Sequence, residues 1–173
     1  MEERKPITHV TAGLIIAALL VVYSIIINFM GLTQQKALGA VQYLLIIGGL
    51  IYFIGQWGKA HDYTLSFGNL FAYGFKATAV FTIINIVFLI IFFLVFPEMK
   101  EQTFEVARKQ MEDNPKISED QIEQGLDIAR RFFWVGLVGG TMFFMILIGA
   151  IGSLIGAAVT KKRPHNPLDQ LSV

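Results

Sequence analysis

The sequence has 173 residues, 54% of them hydrophobic and 16% charged, with the apolar residues gathered into long blocks, which excludes an ordinary soluble domain. A formal net charge of +1 with bases at the block edges excludes a nucleic-acid partner. The absence of cysteine excludes a disulfide framework, a thiolate zinc site, an iron–sulfur cluster and a thiol nucleophile.

The first apolar block covers residues 11–32 and follows a short charged start containing Arg4 and Lys5. A cleavable signal has an apolar core of only about 7 to 15 residues, so this block predicts a retained first span. A short polar turn over 31–36 sends the second block, 37–57, back antiparallel to the first. Tyr52, Phe53 and Trp57 mark the interfacial end of that second span.

Residues 58–76 mix Lys59, His61 and Asp62 with a run of aromatics. They read either as a polar loop followed by Ser66 as the N-cap of a helix running through Lys76, or as a segment lying in the membrane plane. Beyond Lys76, residues 77–96 carry no charge and reach about 30 Å as a helix, the thickness of a hydrocarbon core. The third span is therefore drawn over 67–96.

Composition then changes abruptly: residues 98–131 hold nine acidic and six basic side chains, a net charge of −3. Phe104, Ala107 and Met111 recur at helical spacing, Asn114-Pro115 breaks the helix, and Ser118 with Gln121 matches a capping box. Ile122 and Leu126 continue an apolar face from there, which predicts a helical hairpin over 97–131 whose Phe104, Met111, Ile122 and Leu126 form a partner-docking face. Pro97 is expected to kink its first arm.

The last block, 132–160, is about 44 Å long as a helix and rich in small residues. Gly136 and Gly140, then Gly149, Gly152 and Gly156, predict close packing against a neighbouring helix. Lys161, Lys162 and Arg163 end the span, and a short tail runs to residue 173. Counting bases near the membrane puts both termini in the cytoplasm and the acidic hairpin outside.

No Asp, Glu, Lys, Arg or His lies within the central part of any of the four blocks, which disfavours a proton-driven transporter. Asn28 and Asn85 are the candidates for interhelical hydrogen bonds, worth roughly 0.6 to 2 kcal/mol each. His9, His61 and His165 stand at no metal-ligand spacing, and the paired carboxylates of the hairpin lack the alternating oxygen ligands of a calcium loop. No metal, no cofactor and no catalytic residue is assigned.

At residues 65–75, LSFGNLFAYGF, the chain resembles a family of four-span membrane proteins of the Bacteroidota, the domain of unknown function forty-one ninety-nine, in which a Ser-Phe-Gly-x-x-Phe pattern opens the third span. Here the pattern is Ser66, Phe67, Gly68 and Phe71, followed by Gly74. The resemblance implies a Gram-negative inner-membrane protein and brings no catalytic residue with it.

The expected fold is thus an all-α integral membrane protein, four transmembrane helices in an antiparallel bundle with an extracytoplasmic helical hairpin between spans three and four. The expected function is non-enzymatic contact with a protein partner in the envelope, with a homo-oligomer as one form of it. A small carrier or channel for a neutral or lipid-like solute, lined by Asn28, Thr82 and Asn85, is the second reading. A membrane-embedded enzyme acting on lipid-linked substrates through Lys59, His61 and Asp62, or the accessory subunit of such an enzyme, is the third.

Overall fold

A computed structural model describes residues 6–32 and 35–163, and these form six helices with no strand among the described residues. Expectations for residues 1–5 and for the tail from 164 onward, His165 included, lie outside the described residues. The helices are α1 (His9–Phe29), α2 (Lys36–Ala60), α3 (Phe67–Val95), α4 (Pro97–Glu112), α5 (Glu119–Arg131) and α6 (Phe133–Val159). Four of them, α1, α2, α3 and α6, are long and apolar enough to cross a membrane.

The helix ends follow from local chemistry. Thr8 Oγ1 accepts from the Thr11 N–H at 3.2 Å and caps α1. The other end of α1 closes at Phe29, short of the expected residue 32. Gly31 there takes a left-handed φ of 65°, and the Leu32 and Gly31 N–H groups donate to the Ile27 and Asn28 carbonyls at 3.0 and 3.1 Å. α2 continues to Ala60, past the expected residue 57. Ser66 Oγ accepts from the Asn69 N–H at 3.3 Å, so the chain enters α3 through a cap and runs helically through Lys76.

Pro97 does not kink a helix; it begins one. The residue before a proline is driven out of the α region, and Phe96 sits at φ −121°, ψ 71°. Proline then occupies the first position of α4, where its missing N–H has no helical partner to lose. α5 opens on the expected capping box, with Ser118 and Gln121 bonded reciprocally at 3.4 and 3.0 Å.

The chain folds as two compact units, Met1–Phe81 with Met145–Val173, and Thr82–Phe144. In the first unit, the starts of α1 and α3 and the ends of α2 and α6 supply the buried side chains, among them Ile16, Leu20, Ile46, Leu50, Ile54 and Phe81. Tyr73 ties this end together: its hydroxyl donates to the Ile7 carbonyl at 2.9 Å, and its ring stacks on Trp57 with centroids 4.8 Å apart.

Helix contact in this unit is backbone-close. A Cβ on Gly74 would lie 2.6 Å from Ser153 Oγ, and one on Gly149 would overlap the Thr78 side chain. The hydroxyls at those contacts are satisfied within their own helices, Thr78 donating to the Gly74 carbonyl at 3.0 Å and Ser153 to the Gly149 carbonyl at 2.7 Å. Gly13 is equally tight, since a Cβ there would lie 2.6 Å from Val80 Cβ and 2.8 Å from the Ala77 carbonyl oxygen. Gly152 and Gly156 meet α2 in the same way, at Leu50 and Ile54.

Gly13→Ala should therefore cost about 1–3 kcal/mol, because backbone atoms must move to admit the methyl group. Gly136→Ala, in open space, should stay within about 0.5 kcal/mol of the parent. Thermal unfolding in a mild detergent separates the two, and equal shifts would mean that the α1–α3 contact is not as close as described.

Candidate functional site

The amphipathic faces of α4 and α5 turn toward each other. Phe104, Ile122 and Leu126 are 4%, 2% and 6% exposed and form one apolar cluster, with Ala107, Met111, Ile117 and Phe133 packed around it. Met111 Cε would stand 3.3 Å from a Cβ on Gly125, so this glycine makes room for the methionine. The expected docking face of Phe104, Met111, Ile122 and Leu126 is thus corrected: each helix covers the other's apolar stripe, and the exposed sides are polar apart from Ile128.

Charge frames this cluster. Arg108 Nε donates to Glu112 Oε1 at 2.9 Å, and its Nη2 donates to Glu119, joining α4 to the start of α5. The hydrogen bond to Glu112 and the charge of Glu119 hold the Arg108 guanidinium above its ordinary pKa. It is a solvated pair network and contributes little to stability. Arg130 lies over the Phe104 ring at 5.4 Å and approaches Glu101 at 3.5 Å.

The two asparagines part company. Asn28 Nδ2 donates to the Ser24 carbonyl at 2.8 Å in its own helix, in place of the expected bond across helices, because the short carboxamide reaches the carbonyl four residues back. With Tyr23, Ser24 and Gln42 it lines a pocket of about 170 Å³ between α1 and α2, beside the Tyr23 hydroxyl, which donates to the Leu38 carbonyl at 2.6 Å. Asn85 is buried in the second unit, as is Thr82, whose Oγ1 has no hydrogen-bond partner among the described residues.

Among the glycines of α6, Gly149, Gly152 and Gly156 are packed, whereas no heavy atom among the described residues lies within 4 Å of a Cβ on Gly136 or Gly140. Within the chain these two meet no neighbouring helix among the described residues, and they sit beside the exposed Val135 and Phe143. Four close contacts were not among those expected from the sequence pattern: those of Gly13, of Gly58, and of the hydroxyls of Thr78 and Ser153. A small-xxx-small spacing at Gly13 and Ala17, both buried, was the available signal for the first.

The motif residues divide between capping, packing and surface. Ser66 caps α3 and Gly74 receives Ser153. Phe71 stacks on Phe75 with centroids 5.7 Å apart, Phe67 lies beneath Lys162 at 5.1 Å, and a Cβ on Gly68 would meet only Ser66 Oγ. In the loop before the motif, Asp62 and Tyr63 take left-handed φ values of 52° and 59°. His61 Nδ1 lies 2.9 Å from the Trp57 carbonyl oxygen, and its ring packs on Trp57 at 4.2 Å. No group of three His, Asp or Glu among the described residues is arranged to hold a metal ion.

Phe104→Ala should destabilise the α4–α5 pair by about 3–5 kcal/mol, since it empties the centre of the cluster. Amide hydrogen exchange over residues 97–131 reads the effect, and Arg108→Gln should leave that exchange nearly unchanged. The reverse order would restore Phe104 to an outward face.

No curated protein and no solved structure matches the chain. The family described as Protein of unknown function (DUF4199) matches residues 11–162. With four apolar helices of membrane-crossing length and that match over most of its length, the chain belongs to the DUF4199 family of proteins of unknown function.

Proposed function

We propose that this chain is a non-enzymatic integral protein of the bacterial inner membrane that acts by contact, as a scaffold or accessory subunit of an envelope complex. In this reading the four spans form an antiparallel bundle, both termini are cytoplasmic, and α4 and α5 form a hairpin on the outer side. The observation that supports it best is the interior of the first unit, filled by interlocked small residues and apolar side chains with no Asp, Glu, Lys, Arg or His among the buried described residues. An interior packed in this way leaves the outer surfaces as the means of action.

The surface that fits is no longer the apolar stripe of the helix pair, which is consumed internally. It is the first half of α6, where Gly136, Gly139 and Gly140 are open and Val135 is 71% exposed. Small residues on a lipid-level helix let a second backbone approach closely, either a partner's or that of another copy of this chain. A photo-reactive residue at position 136 or 140 should therefore cross-link to protein in intact membranes, whereas one at position 83, on α3, should label lipid. Protein-free adducts at both α6 positions, together with a lone monomer in mild detergent, would sink the proposal.

A second reading has its own observation. Thr82 Oγ1 is buried without a hydrogen-bond partner among the described residues, three residues from buried Asn85 on the same helix. An unsatisfied hydroxyl beside a carboxamide suits a neutral polar solute taken up by a carrier. Liposomes containing the Asn85→Leu variant should then lose solute flux by at least tenfold; flux equal to the parent would exclude Asn85 from the path.

A further inference from the structure

At one end of the first unit, the segments that follow α2 and α6 are pinned together through the backbone. The Arg163 N–H donates to the Tyr63 carbonyl at 2.9 Å, and the Tyr63 N–H donates to the Gly58 carbonyl at 2.9 Å. Gly58 admits the side chain of Thr160, whose Cγ2 would lie 2.6 Å from a Cβ there. Asp62 and Tyr63 are held in the left-handed region, which a tyrosine adopts only when its surroundings impose it.

Between these segments lies a pocket of about 420 Å³ lined by Asp62, Tyr63, Lys161, Lys162 and Arg163. Three cations face one carboxylate. Among the described residues the ion pairs involve only Arg108 and Arg130, so the three bases of the pocket reach no carboxylate of a described residue within pairing distance. A single base would suffice to complement the end of α6, whose effect fades within one turn. Three of them around a recess, on a backbone fixed independently of their charge, form a receptor for an anion. The N–H groups of Asp62, Tyr63 and Thr64 are already bonded to the carbonyls of Lys59, Gly58 and His61, so side chains must do the recognising.

We propose that this pocket binds the phosphodiester headgroup of an anionic glycerophospholipid. The inference rests on the membrane placement proposed above. α6 ends at Val159 and α3 begins at Phe67, so the pocket sits where apolar helix gives way to polar chain, the level at which headgroups lie. The Arg163 guanidinium matches two phosphate oxygens at once, and Lys161 and Lys162 supply point charges. Facing three bases and one carboxylate, a phosphate dianion gains more Coulomb attraction than a diester, so the choice of a lipid over free phosphate rests on the pocket's place at the headgroup level.

Native mass spectrometry of the full chain in a neutral detergent, titrated with phosphatidylglycerol, phosphatidylcholine or inorganic phosphate, tests this. Phosphatidylglycerol should bind most tightly. A K161Q/K162Q/R163Q variant should weaken it on the order of 100-fold, at about fivefold per base, and Asp62→Asn should tighten it about fivefold. A K100Q/K109Q/K116Q variant, which loses the same charge from α4 and the turn after it, should bind like the parent. Equal weakening by both triple variants, or equal affinity for the two lipids, overturns the proposal. Inorganic phosphate that displaces the lipid at equal concentration overturns it too, by making free phosphate the ligand. A chain that fractionates with membranes and fails these tests loses this inference alone, whereas recovery in the soluble fraction removes the membrane placement as well.

Discussion

The contact on which the first unit depends is a reciprocal one: Gly74 of α3 receives Ser153 of α6, and Gly149 of α6 receives Thr78 of α3. Each helix offers a glycine and, four residues on, a hydroxyl that bonds back to that same glycine's carbonyl. The arrangement answers a physical problem specific to apolar helices. In hydrocarbon there is no water to expel, so association has to come from dispersion at short range, and dispersion falls steeply with separation. A methyl group in either glycine position would push the backbones apart. Hydroxyls fit this seam because their hydrogen bonds are already made inside their own helix, leaving only shape to be matched.

The second unit solves a different problem. α4 and α5 carry the charged residues of the chain's acidic stretch on one side and a narrow apolar stripe on the other, and the stripes close on each other around Phe104, Ile122 and Leu126. Here the hydrophobic effect operates, since the alternative for those side chains is water. Glycine is accordingly scarce in the pair; Gly125 merely makes room for Met111. Phe96 and Pro97 mark the change of regime, where one residue leaves the α region and the next starts a helix with a different solvent on its outer face.

Much of this was legible in the one-dimensional pattern. Four long apolar blocks demanded four long helices, because no other local structure satisfies a backbone in hydrocarbon. Ser66 and the Ser118–Gln121 pair announced two helix starts through side chains that can reach their own backbone. The family resemblance at Ser66, Phe67, Gly68, Phe71 and Gly74 agrees with the match over residues 11–162. What could not be read was which small residues face a neighbour. Gly136 and Gly156 occupy equivalent-looking steps of one glycine-rich helix, yet one is open and the other packs on Ile54.

The sequence by itself determined the number, type and approximate limits of the apolar helices, the interruption at Pro97 and the helical character of the acidic stretch, because these depend on residues close together in the chain. Only the tertiary structure decided where the apolar stripes go. It turned Phe104 and Leu126 inward against each other, kept the Asn28 side chain bonded within its own helix, and brought Lys161, Lys162 and Arg163 beside a left-handed turn about a hundred residues earlier in the chain. The physical reason is that packing is a property of pairs of surfaces. A periodic stripe specifies that something must cover it and leaves the identity of the cover to the fold.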